Sequence, residues 1–329
     1  MDPMSAVLAV TVPFFALVLA GYLAGRQHLL PESAIPGLNA FVLYFALPCM
    51  LFRFGSAMPV LDLLNPAVLL VYLPAQLLIV FFTVAVSLNE RVGLKDAAFG
   101  ALVAAFPNTG FMGVPLLAAL LGPQATGPLI TCILADLFVT SSLCIALAQL
   151  AHGGDASDQR AARAAALRAL RSALANPLPW AIALGALFSG LGIALHGPLD
   201  AVVRMLADAA TPVALFAIGA VLWHAGQHAH ARTPPADYVP AALIKLGLHP
   251  LVVFALALAT RALGVPLADF AIVVLTLGAA LPSASSVSPL AERYGADNGR
   301  VARIIMTSTV LAFVSFSALA WAFGVQPVR

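Results

Sequence analysis

The chain has 329 residues, 62% of them hydrophobic and 9% charged, with a formal net charge of +2. Soluble domains carry about 25% charged residues, so this composition excludes an ordinary soluble globule and points to the bilayer. The small net charge, without a long basic run, gives no support to nucleic acid as a partner.

Apolar runs bounded by charges, Pro and Gly predict ten spans, near 5–25, 37–55, 66–88, 96–121, 126–150, 176–195, 201–224, 238–262, 268–291 and 301–324. No cleavable signal is expected, because Met1-Asp2-Pro3-Met4-Ser5 lacks a positive n-region. Cys49, Cys132 and Cys144 lie in apolar runs without metal-type spacing, and read as small core residues.

Charge orients the spans. Eleven of the 16 Lys and Arg fall in odd-numbered connections: Arg26, Arg91, Lys95, Arg160, Arg163, Arg168, Arg171, Arg232, Arg293, Arg300 and Arg303. The even-numbered connections and the C-terminus hold four, Arg53, Arg204, Arg261 and Arg329, and Lys245 lies within a span. The positive-inside rule then puts the odd loops in the cytoplasm and both termini outside.

The two halves repeat. Pro48-Cys49-Met50-Leu51-Phe52 recurs as Pro212-Val213-Ala214-Leu215-Phe216, Pro74 corresponds to Pro250, Pro107 to Pro282, and Pro115-Leu116 to Pro289-Leu290. The offsets are 164, 176, 175 and 174 residues. Five spans per half is odd, so the second half enters from the opposite side, an inverted repeat. The predicted organisation is a first five-helix repeat over 1–150, a basic cytoplasmic linker over 151–175 and a second repeat over 176–329. Within the linker, Leu167, Leu170 and Leu174 form a helical stripe beside arginines, which fits either a helix on the anionic leaflet or a solvated tether.

Spans 4 and 9 are interrupted. Pro107-Asn108-Thr109-Gly110-Phe111-Met112-Gly113-Val114-Pro115 and Pro282-Ser283-Ala284-Ser285-Ser286-Val287-Ser288-Pro289 place helix breakers and polar groups inside apolar stretches. Freed backbone groups survive in hydrocarbon only where they line an enclosed or wet cavity. Paired breaks, one per half, mark a transporter's binding site. A half-helix starting after each Pro offers N–H groups to an anion, with Asn108, Thr109, Ser283, Ser285 and Ser286 as further donors and Gly110 allowing close approach.

The segment Asn108 to Leu117 resembles the fourth-helix signature of the auxin efflux carrier family, in its bacterial malonate- and malate-type branch. Ala280-Leu281-Pro282, followed by Pro289-Leu290-Ala291-Glu292-Arg293-Tyr294-Gly295-Ala296-Asp297, is similar to its ninth-helix signature, and Asn176-Pro177-Leu178 matches as well. The resemblance implies an all-α, ten-helix 5+5 inverted repeat of the bile-acid-symporter and sodium/proton-antiporter type with two broken crossover helices. Helices 1, 2, 6 and 7 would form a scaffold; 3–5 and 8–10 would form a moving transport domain, as in an elevator. It implies organic-anion substrates, Asn108 as a carboxylate contact, and a homodimer in lipid. The segment Ser283–Val287 is richer in Ser than the plant pattern.

Ionisable groups inside spans are functional candidates. Lys245 is read as a partner for the substrate carboxylate and Asp136 as the carrier of a coupling proton or Na⁺, with a purely structural Lys245–Asp136 pair as the alternative. His249, one turn from Lys245, reads as a packing residue, and His224, His228 and His230 as a polar loop rather than a metal site. No cofactor is expected. Without a phosphate-binding loop, His-Glu-x-x-His or Gly-x-Ser-x-Gly, an enzyme is not expected either. The leading expectation is a secondary carrier of small carboxylates such as malonate or malate; a membrane-embedded sensor or intramembrane enzyme using the same cavity is the alternative.

Overall fold

Two helices begin at Asn-Pro pairs for a local reason. In the computed structural model, the Asn65 side-chain oxygen accepts the N–H groups of Ala67 and Val68 at 2.9 and 3.4 Å, and that of Asn176 accepts Leu178 N–H at 3.0 Å. The proline that follows needs no acceptor and already has a helical φ. Asp297 caps a third helix by accepting Arg300 N–H at 2.9 Å.

The structure describes residues 3–59, 64–150, 167, 171, 174–228 and 233–326. In chain order the helices are α1 (Pro3–Arg26), α2 (Ala34–Ser56), α3 (Pro66–Ser87), α4a (Leu94–Ala105), α4b (Thr109–Leu121), α5 (Pro123–Leu150) and α6 (Pro177–Gly190). There follow α7 (Gly197–His228), α8 (Pro235–Ala262), α9a (Asp269–Ala279), α9b (Val287–Arg293) and α10 (Asn298–Ala322). Seven of these are long and apolar enough to cross a membrane; α4b, α6 and α9a are shorter apolar helices. The expected fourth and ninth spans are each two helices separated by a break. The basic linker lies outside the described residues apart from Leu167, Arg171, Leu174 and Ala175, as do Leu170 of its leucine stripe and His230.

Among the described residues four helices contain a widened turn, at Val42–Ala46 in α2, Thr109–Gly113 in α4b, Asp136–Thr140 in α5 and Ile244–Leu248 in α8. Three of them lead into Pro48, Pro115 and Pro250, whose missing N–H removes the normal four-residue bond. The fourth is held by Ser141 Oγ, which donates to Asp136 O at 2.9 Å. Such turns gather at functional sites, and two of them carry Asp136 and Lys245.

Packing divides the helices into two groups. In one, α1 lies along α7, and α6 along α2, with α2 also against α7. In the other, α3 packs on α4a and α8, α4a on α5, α8 on α9a, and α10 on α8, with α10 also packing against α1 and α7 of the first group. Two close crossings hold the first group. A Cβ at Gly21 would sit 1.9 Å from Phe216 O, and one at Gly219 would sit 1.9 Å from Val18 O. A Cβ at Gly185 would lie 2.4 Å from Phe52 O, and one at Gly55 would lie 3.1 Å from Ile182 O. Gly21 precedes Gly185 by 164 residues and Gly55 precedes Gly219 by the same 164, the spacing that relates Pro48 to Pro212. The α1–α7 contact is therefore repeated by α6–α2 with the two halves exchanged.

The outside is apolar. Leu70, Leu77, Leu78, Phe81 and Phe82 of α3 are all exposed, as are Leu251 of α8 and Val310 and Val314 of α10. An exposed band of this kind suits hydrocarbon rather than water, as expected of an integral membrane protein.

Candidate functional site

The two breaks meet. α4a stops at Ala105 and α9a at Ala279, and neither Pro107 nor Pro282 has an N–H to continue its helix. The freed groups satisfy each other instead. Asn108 N–H donates to Pro282 O at 2.8 Å and Ala284 N–H donates to Phe106 O at 3.0 Å, an antiparallel bridge centred on Pro107 and Ser283. Ser283 N–H is taken up by Ser308 Oγ of α10 at 3.2 Å. Backbone groups that hydrocarbon could not solvate are thereby paired inside the protein.

The first turns beyond the bridge are less complete. Asn108 O accepts from Met112 and Gly113 at 3.1 and 2.9 Å, and Thr109 N–H donates to Pro107 O at 2.7 Å. The N–H groups of Gly110 and Phe111, and likewise those of Ser285 and Ser286, have no acceptor among the described residues. They are the orphan donors of two helix starts, where the backbone presents partial positive charge. The Asn108 side chain is 3% exposed and its Oδ1 has no partner, and Ser283 Oγ is equally unpartnered. A buried polar group left without a bond costs about 1–3 kcal/mol, which an incoming ligand or water recovers.

A cavity of about 60 Å³ lies against this turn. Asn108, Thr109, Gly110 and Ser286 line it, and so do Asp136 of α5, Leu43 and Leu47 of α2, and Asn176 at the start of α6. One wall thus comes from each helix group. Asn176 Oδ1 is committed to Leu178 N–H, so its amide nitrogen is the free end. Leu43, Phe111 and Ser286 also border a wider cavity of about 560 Å³ that reaches Glu32, His224, Glu292 and Asn298. His224 Nδ1 lies 3.3 Å from the Glu32 carboxylate there. Another cavity, of about 680 Å³, is lined by Met58, Asn65, Gln124 and Phe270 and shares no residue with the first two.

Asp136 is fully buried and fully engaged. Tyr72 Oη donates to its Oδ2 at 2.9 Å, while Gln76 Nε2 and Thr140 Oγ1 donate to Oδ1 at 2.6 and 3.1 Å. Three donors can hold a carboxylate in an apolar interior. Lys245, also fully buried, is not among the residues lining the cavity. Its Nζ donates to Ala279 O at 2.6 Å and meets His249 Nδ1 at 3.0 Å. Among the described residues no hydrogen bond or ion pair joins Lys245 to Asp136; their respective partners His249 and Tyr72 have ring centroids 6.4 Å apart.

Of the residues singled out in the sequence, the structure brings Asn108, Thr109, Gly110, Ser286 and Asp136 to one cavity. Ser285 borders the wider cavity, Ser283 forms the bridge, and Lys245 serves the end of α9a. Sequence reasoning missed Tyr72, Gln76, Thr140 and Asn176. Gln76 was the available signal, an amide one turn from Tyr72 inside an otherwise apolar helix.

Comparison with known proteins places the chain among membrane transport proteins. The profile of a family described as "Membrane transport protein" matches residues 6–320. A protein of Rhizobium meliloti (strain 1021) named "Putative malonate transporter" is 28% identical over 324 residues, covering 96% of this chain and 95% of that protein. An uncharacterized transporter of Escherichia coli (strain K12) is 27% identical over 307 residues, covering 92% and 93%. One of Methanothermobacter thermautotrophicus is 28% identical over 309 residues, covering 91% and 92%.

Proposed function

We propose that this chain, which belongs to the membrane transport protein family, is a secondary carrier of small organic anions that binds its solute where the two helix breaks cross. One observation carries the reading: the N–H groups of Gly110, Phe111 and Ser286, without acceptors among the described residues, lie on residues that line a small cavity between two helix groups, together with Asn108, whose amide nitrogen is a further donor. Such a site suits carboxylate oxygens, and dicarboxylates of the malonate or malate kind are the class to test first, in keeping with the name of the Rhizobium relative.

The finer architecture follows as part of the proposal. The chain is read as ten spans in a 5+5 inverted repeat, a reading supported by the exchanged glycine crossings and the paired breaks. α1, α2, α6 and α7 act as scaffold; α3, α4, α5, α8, α9 and α10 move as the transport group, in homodimers within a bacterial inner membrane. With termini in the periplasm and the basic linker inside, the wider cavity opens to the cytoplasm, so the conformation described is inward-facing.

Asp136 supplies the coupling. An anion in the cavity would lie near Asp136, which lines it, and two like charges about 4 Å apart repel by about 4 kcal/mol at an effective dielectric of 20. Binding is relieved of that cost when a proton or cation neutralises Asp136 at the same time. The carrier makes and breaks no covalent bond. The test is uptake of radiolabelled malonate and malate into proteoliposomes under an imposed pH or Na⁺ gradient. Absence of uptake across a panel of small carboxylates, with binding also absent, refutes the assignment.

A further inference from the structure

The end of α9a exposes carbonyl groups that no following helical turn covers. Ala280 N–H serves Thr276 O and Leu277 O, and Leu281 N–H serves Gly278 O at 3.3 Å. The next carbonyl, Ala279 O, takes no backbone donor; it receives Lys245 Nζ at 2.6 Å instead. Lys245 comes from the widened turn Ile244–Leu248 of α8 and is fully buried. Its second contact, His249 Nδ1 at 3.0 Å, lies one turn on along α8. The ionisable groups of neighbouring helices, Tyr72 of α3 with Cys132 and Asp136 of α5, make no hydrogen bond or ion pair with it.

The carboxyl end of a helix carries about half a negative charge, concentrated on its last carbonyls. In broken-helix carriers such unwound carbonyls and half-helix ends are where a metal cation is held. Here an ammonium group tethered to the protein is already bound at that place. We propose that Lys245 is a built-in cation that takes the position of a monovalent metal ion at the α9 break. The carrier therefore binds its solute and keeps its crossover without Na⁺ or K⁺, which leaves the proton as the coupling ion at Asp136. Removing the Lys245 side chain creates a monovalent-cation site between Ala279 O and His249 Nδ1. This deepens the carrier reading, but its first test does not depend on it.

That test is thermal unfolding of the detergent-solubilised protein in sodium, potassium, ammonium or choline chloride at equal ionic strength. Choline is the control too large for the vacated space. The wild type unfolds at one temperature in all four salts. Lys245→Ala unfolds lower in choline and recovers roughly 2–4 °C, saturably, in at least one small cation. In proteoliposomes, wild-type uptake is indifferent to Na⁺, while Lys245→Ala regains about tenfold in solute affinity with the same cation.

A wild type stabilised or driven by Na⁺ overturns the proposal. So does a folded Lys245→Ala whose unfolding temperature is the same in every salt. Should Lys245→Ala not fold in any salt, Lys245→Gln and Lys245→Arg decide the matter. Gln keeps a donor for Ala279 O without the charge, and stability equal to Arg would show that charge is not what the site requires. The unfolding result stands even if no carboxylate is transported, so failure of the cation proposal and failure of the carrier assignment are separable.

Discussion

Asn108→Ala is the sharpest single test of the crossover as a binding site. The side chain can be removed without touching the bridge, because Asn108 contributes to it through its backbone N–H alone. Its amide oxygen has no partner among the described residues, so truncation breaks no hydrogen bond at that atom. What is lost is a donor to a charged oxygen, worth about 1.5–3 kcal/mol. At 1.4 kcal/mol per factor of ten, affinity should fall roughly tenfold to a hundredfold while the unfolding temperature without solute stays near the wild-type value. Asn108→Asp keeps the shape but sets a carboxylate against the solute, and should bind worse than Ala. The measurements are the concentration dependence of uptake and solute-induced thermal stabilisation. Unchanged affinity and rate in a folded Asn108→Ala protein refute the reasoning.

The other expectations concern coupling and fold. Asp136→Asn should abolish gradient-driven accumulation yet preserve solute counterflow, since binding and reorientation remain; accumulation by a folded Asp136→Asn protein removes the coupling role. Gly219→Ala puts a methyl carbon where Val18 O stands 1.9 Å away, so α1 and α7 must part at a cost of about 1–3 kcal/mol, read as lowered thermal stability. Arg300 donates to Asp237 O and Asp96 O, both at 2.7 Å, and to Ser87 Oγ at 3.2 Å, joining the ends of α8, α4a and α3. Arg300→Ala should cost about 3 kcal/mol or more, and Arg300→Lys should restore little, because one ammonium cannot span three acceptors.

Local chemistry carried most of the architecture. Asn-Pro pairs at 65–66 and 176–177 mark helix starts, and the two proline-centred interruptions mark the breaks, because caps and missing donors act within a few residues of themselves. The face each helix turns to its neighbours was much less legible. α3 is apolar nearly all round, so its pattern does not say that Tyr72 and Gln76 meet Asp136 across 64 and 60 residues. The glycine crossings escaped notice because glycine carries no hydropathy signal; only the shared spacing of 164 residues could have revealed them. Lys245 was recognised by its charge and expected at the solute. Charge gives no direction, and in the structure the Lys245 ammonium group donates to the Ala279 carbonyl of a broken helix.

The orphan N–H groups of Gly110, Phe111, Ser285 and Ser286 also bear on how fast a cycle can turn. In the proposed carrier cycle an unloaded site cannot travel dry, since each uncovered donor would carry its desolvation cost through the passage. Water must ride along, and a cavity of about 60 Å³ holds only a few molecules, each of which gives up mobility there. A loaded site replaces that trapped water with oxygens already fixed in one molecule. Solute-for-solute exchange should therefore outpace net efflux, with the empty return as the slow stroke. Efflux from preloaded vesicles should accelerate when the same solute is supplied outside.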